Sequence, residues 1–99
     1  MLETSVEIAR RDGTEFRSIT LDLRPDGSLS VSGHDRGPYV EKWWGDADYE
    51  FWVDIPAEAV ARLAFALLEE KYRDRLDAVD DLRDFLRAKR IPHEFDSWV

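Results

Sequence analysis

The side chains best able to do chemistry in this 99-residue chain are carboxylates. There are 22 Asp and Glu against 14 Lys and Arg, a net charge of −8. The densest group is Asp46, Asp48 and Glu50 within Asp46-Ala47-Asp48-Tyr49-Glu50. Along an extended strand these three share one side, with successive members about 7 Å apart. A cation held there needs further ligands from another strand, for which His34 or Asp35 are candidates. The calcium-loop pattern fails, because Phe51 and Ala57 occupy the positions where Gly and Glu are required. We therefore expect no metal and no other cofactor. General acid–base chemistry has little to work with. His34-Asp35 and His93-Glu94 are the only His–carboxylate neighbours. Ser30 or Ser32 beside His34 suggests a nucleophile and base, but the Gly-x-Ser-x-Gly elbow is missing. Phosphate loops, dinucleotide glycine motifs and zinc helix motifs are likewise missing. Cysteine is absent, which removes thiol catalysis, thiolate zinc sites and disulfides. The expectation is a protein that is not an enzyme.

Aromatic residues interleave with the acids. Trp43 and Trp44 fall in a long connection, residues 33–46, and long connections are often functional. Pro38 near its start and Gly45 near its end suit a short helix. Gly45-Asp46 equally suits a turn closing a strand over 39–44. In either case two adjacent indoles cannot share one environment, so one is expected to be buried and one exposed. Trp52 stands between Glu50 and Asp54. An exposed Trp is the residue type most enriched in interface hot spots.

These side chains must be positioned by the elements around them. Period-two alternation marks strands at 2–9, 15–23, 28–34 and 47–55. Val6, Ile8, Ile19, Leu21, Leu23, Leu29, Val31 and the odd positions from Ala47 to Ile55 form the apolar side. Asp12-Gly13 and Pro25-Asp26-Gly27 are turn signals that join the first strands. The opposite side collects Glu3, Glu7, Asp22, Asp48, Glu50 and Asp54 with Ser5, Ser18, Thr20, Ser28, Ser30, Ser32, His34 and Trp52, and no Lys or Arg. That composition reads as a docking surface for a basic partner. The candidate binding residues are Trp43, Trp44, Asp48, Glu50, Trp52 and Asp54.

The period changes after Pro56, a suitable first helical residue. Val60, Leu63, Ala64, Leu67 and Leu68 repeat at helical spacing, as do Val79, Leu82, Phe85 and Leu86. One unbroken helix over 56–91 would reach roughly 50 Å. A break near Arg73–Leu76 is preferred, with Asp74 or Asp77 as the second N-cap. The basic run Arg83, Arg87, Lys89 and Arg90 closes a helix that opens on acids, which complements the helix dipole. Asp80–Arg83 and Asp84–Arg87 are spaced as ion pairs. Phe95 and Trp98 are expected to fold back onto the core. The whole reads as one α+β domain over 1–99. An antiparallel meander of three to five strands (1–55) precedes two helices packed on one face (56–91) and a tail (92–99).

Composition narrows the partners. Apolar residues at 43% and aromatics at 12% exclude an acidic disordered tail. No signal-peptide pattern and no apolar run of about 20 residues occurs, so a cytoplasmic location is expected and a membrane is not. Residues 1–54 carry 6 basic and 12 acidic groups, net −6; residues 55–99 carry 8 and 10, net −2. Direct nucleic-acid binding is disfavoured, because it calls for clustered Lys and Arg.

Gly37-Pro38, Glu41-Lys42-Trp43-Trp44-Gly45-Asp46 and Asp48-Tyr49-Glu50-Phe51-Trp52, followed by the helix from Pro56 to Leu68, resemble a segment of small uncharacterised bacterial proteins. The resemblance covers a third of the chain. It implies a bacterial setting and no activity. The expected function is an interaction module for a basic protein, in an inhibitor, immunity-type or adaptor role. The alternative is a small-ligand or divalent-metal domain using residues 33–50.

Overall fold

A computed structural model describes residues 4–45 and 48–98, except the side chain of Trp44. Four strands form one antiparallel sheet in the order β1-β2-β3-β4: β1 (Ser5–Arg11), β2 (Phe16–Leu23), β3 (Leu29–Arg36) and β4 (Asp48–Ile55). Helix α1 (Pro38–Trp44) links β3 to β4. After β4 come a 3₁₀ turn (Ala57–Ala59), α2 (Val60–Tyr72) and α3 (Ala78–Ala88). The expected class, an α+β chain with a meander followed by helices, holds. The chain forms two compact units, Met1–Ala64 and Phe65–Val99.

In the first unit the register sorts the side chains onto two faces. Val6, Leu21, Val31 and Val53 form one cross-strand row, and Ile19, Gly33 and Phe51 the next. Ser18, His34 and Glu50 form a row on the opposite face, followed by Thr20, Ser32 and Trp52. This is the alternation the sequence predicts, with one exception in β1, but Ser28 and Ser30, expected on the solvated face, are buried at 6% and 4% exposure. A bulge between Glu7 and Ala9 leaves Ile8 unpaired. One extra residue reverses the side-chain parity beyond it. Arg10 thereby joins Ser18 on the polar face, where it bonds Glu7 at 3.3 Å and Asp12 at 2.9 Å.

Gly33 exists for a packing reason. A Cβ there would lie 2.2 Å from the Phe51 ring, so that ring covers bare backbone. Phe51 in turn stacks on Tyr49 at 5.3 Å and lies under the Arg17 guanidinium at 5.2 Å. Of the expected apolar positions of β4, Tyr49, Phe51 and Ile55 are half-buried, whereas Val53 is 64% exposed. Within this unit α1 packs against β3 and β4. It contributes Val40, the one buried apolar side chain among the described residues, at 5% exposure.

The 33–46 connection resolves as the helical alternative. Pro38 opens α1, and Gly45 closes it in the left-handed region at φ 77°. The Glu15 carboxylate accepts from the Tyr39 N–H at 3.1 Å, satisfying a first-turn donor. Gly37, at φ 148°, brings its backbone so close that a Cβ would meet the Thr14 carbonyl at 2.3 Å.

Pro56 precedes the 3₁₀ turn instead of starting the α-helix, which begins at Val60. The expected break between two helices is present. Asp74 takes the left-handed conformation, φ 61°, and α3 starts after Asp77. Asp77 sits at the N-cap position, but its side chain caps nothing. It bonds the Arg75 guanidinium at 2.8 and 3.1 Å instead. In the second unit the Tyr72 hydroxyl donates to Asp81 at 2.6 Å, and Lys71 lies over the Phe85 ring at 5.1 Å. Asp84–Arg87 forms an ion pair as expected, while Arg83 stacks on Phe95 at 3.6 Å. The expected burial of the helical stripe does not hold throughout. Val60 and Leu63 are half-buried, but Leu67 and Leu68 are exposed. The contacts with α3 gather at the Lys71–Tyr72 end of α2, a turn beyond those leucines. Phe95 lies against Arg83, whereas Trp98 is almost fully exposed.

Candidate functional site

Two rows of the polar sheet face converge on one depression. Its lining includes Ser18, Thr20, Ser32, His34, Glu50 and Trp52, and its volume is about 240 Å³. The hydroxyl residues come from the centre of β2 and β3, and the acid and indole from β4. Small side chains in the middle and large ones at the side create the hollow. Trp52 is 61% exposed. Neither the Trp52 nor the Glu50 side chain has a hydrogen bond, ion pair or ring contact among the described residues.

The surrounding charges are mostly engaged, which corrects the expectation of a face without counter-charge. Asp54 is bonded by Arg24 at 2.9 Å. The Ser30 hydroxyl and that guanidinium hold its carboxyl below the usual range. Asp48 accepts from or pairs with His34 Nε2 at 3.0 Å. Glu7 pairs with Arg10. Sequence patterning missed Arg10 because a bulge carries no compositional signal. It missed Arg24 because that residue follows the last residue of β2 and reaches across the face from there.

The expected site residues thus divide. Glu50 and Trp52 line the depression. Asp48 and Asp54 lie on the same face, two residues away on either side, each with a partner. Trp43 sits on α1, is 61% exposed, and contacts Tyr39 with ring centroids 6.1 Å apart. The Trp44 side chain lies outside the described residues, so the expectation of one buried and one exposed indole is met only by its exposed half. Asp46 and Glu3 also lie outside them.

The candidate metal ligands do not converge. Successive residues of a strand point to opposite faces. Asp35 therefore leaves His34 and binds Arg17 on the apolar side, through two hydrogen bonds of 2.5 Å. That guanidinium holds the Asp35 carboxyl below its ordinary range. No group of three His, Asp or Glu able to hold an ion occurs among the described residues. The His93 Nδ1–H donates to the Ile91 carbonyl at 2.8 Å, a local turn contact. No helix among the described residues is long and apolar enough to cross a membrane. Compared with known proteins, the chain matches no family model, no curated protein and no solved structure.

Proposed function

We propose that the protein is a non-enzymatic interaction module that binds a basic protein surface on its polar sheet face, as an inhibitor, immunity-type protein or adaptor does. The carrying observation is the pair of Glu50 and Trp52 at the rim of the depression, whose side chains have no partner among the described residues. An exposed indole supplies apolar contact area, and a free carboxylate beside it selects positive charge. The net charge of −6 over residues 1–54 extends that selection to long-range steering.

The alternative, a small-ligand or divalent-metal domain using residues 33–50, has less support. The depression is smaller than the roughly 300–1,000 Å³ of small-molecule sites. His34 and Asp35 also face opposite sides of the sheet.

The test compares capture of a basic partner by the wild type, by Glu50→Gln/Trp52→Ala and by Val53→Ser. The reading expects loss in the double variant and retention in Val53→Ser, with all three proteins folded. Retention by the double variant contradicts it.

A further inference from the structure

We propose that the depression receives the guanidinium of one arginine side chain from that partner, laid on the Trp52 indole and paired with the Glu50 carboxylate. The inference rests on the docking reading above and specifies its central contact.

The molecule already builds this arrangement on its other face. There Arg17 lies over the Phe51 ring at 5.2 Å while its N–H groups bond both oxygens of Asp35. One guanidinium meets an aromatic face and a carboxylate at once. On the polar face itself the Phe16 ring carries two guanidinium groups, Arg10 and Arg36, at 5.0 and 4.9 Å. Trp52 and Glu50 offer the same two partner types on the polar face with no cation supplied among the described residues.

The geometry suits one side chain. Trp52 and Glu50 are two residues apart on β4, so their Cα atoms stand about 7 Å apart on one side of the strand. Indole is the strongest aromatic acceptor of a cation. A planar guanidinium can stack through its face and donate through its edge simultaneously, whereas an ammonium is a point charge that cannot do both as well. The hydroxyls of Ser18, Thr20 and Ser32 line the same hollow and can accept its remaining N–H groups. About 240 Å³ is room for one long side chain and not for a folded element.

The experiment follows the full ¹⁵N-labelled chain by NMR during titration with three capped tripeptides, Gly-Arg-Gly, Gly-Lys-Gly and Gly-citrulline-Gly. The arginine peptide should shift the Trp52 indole N–H and the Glu50 amide. The lysine peptide should bind about fivefold more weakly, and neutral citrulline should leave both signals in place. Trp52→Leu and Glu50→Gln, both at exposed positions, should each weaken the arginine peptide by about fivefold or more with the remaining spectrum unchanged. Equal binding of arginine and lysine peptides at these signals overturns the guanidinium inference and leaves the docking reading standing. Equal binding of the citrulline peptide also overturns it. No response at Trp52 or Glu50 to either cationic peptide overturns both.

Discussion

The sheet unit and the helical unit are stabilised by different kinds of contact. In the sheet unit, partners come from far apart in sequence: Gly33 beneath Phe51, Arg17 on Asp35, Arg24 on Asp54. In the helical unit they are mostly local: Glu69–Arg73, Arg75–Asp77, Asp84–Arg87 and, at longer reach, Tyr72–Asp81, Arg83–Phe95 and Lys71–Phe85. Neither α2 nor α3 holds a buried residue. Exposed local ion pairs contribute little each, so the helices are expected to open at lower free energy than the strands. A binding face needs side chains held at fixed separations, and cross-strand pairing supplies that. The candidate site accordingly lies on the sheet.

The largest predicted effect attacks the sheet. Gly33→Val places side-chain atoms where the Phe51 ring lies and should cost about 3 kcal/mol or more in chemical denaturation. An unchanged midpoint would show that the ring moves aside freely. Gly37→Ala should cost less, about 1–3 kcal/mol, from the positive φ and the approach to the Thr14 carbonyl.

Titration bears on both units: Arg75 holds the Asp77 carboxyl of the helical unit below its ordinary range, as Arg17 does Asp35 in the sheet unit, and it is the alkaline response that distinguishes them. Asp35 has a lowered pKa in the folded state, so its pairing contributes fully above the unfolded value, near 3.9. That contribution is lost as pH falls through the lower folded value. Acid should therefore destabilise the sheet unit, and Asp35→Asn should flatten that dependence. Tyr72 shifts the opposite way, because its hydrogen bond to Asp81 holds its pKa above the ordinary tyrosine range. Its contribution is complete below about pH 10 and is lost as pH rises through the folded value. At high pH the protection of amides, relative to their intrinsic base-catalysed exchange, should fall in residues 65–98 first. The smallest effect belongs to Tyr72→Phe, a few-fold faster exchange confined to that unit. Equal acceleration in β2 and β3 would break the comparison.

Much of this was legible in the residues. Alternation in β2, β3 and β4 placed Ser18, Thr20, Ser32, His34, Glu50 and Trp52 on one face, because period two admits only two sides. The missing information was nonlocal. A one-residue bulge at Ile8 turned Arg10 toward the acids, and Arg24 reached Asp54 across 30 residues of sequence. Pro38 and Gly45 fitted either a helix or a turn. Val40 packed into the core and Glu15 capped the first turn, and neither contact is visible in local sequence. The helical stripe at Leu67 and Leu68 shows that apolar spacing states which face a helix can bury and not whether that face is covered.

The central claim is that positive charge lands on the polar sheet face. The most direct measurement is an amide chemical-shift map of the full chain with an arginine- and lysine-rich peptide. Shifts should cluster at Ser18, Thr20, Ser32, Glu50 and Trp52 and weaken as salt rises toward about 0.15 M, where the Debye length is about 8 Å. Shifts spread across the acidic residues of both units, or centred on Val31 and Val53, would contradict the account.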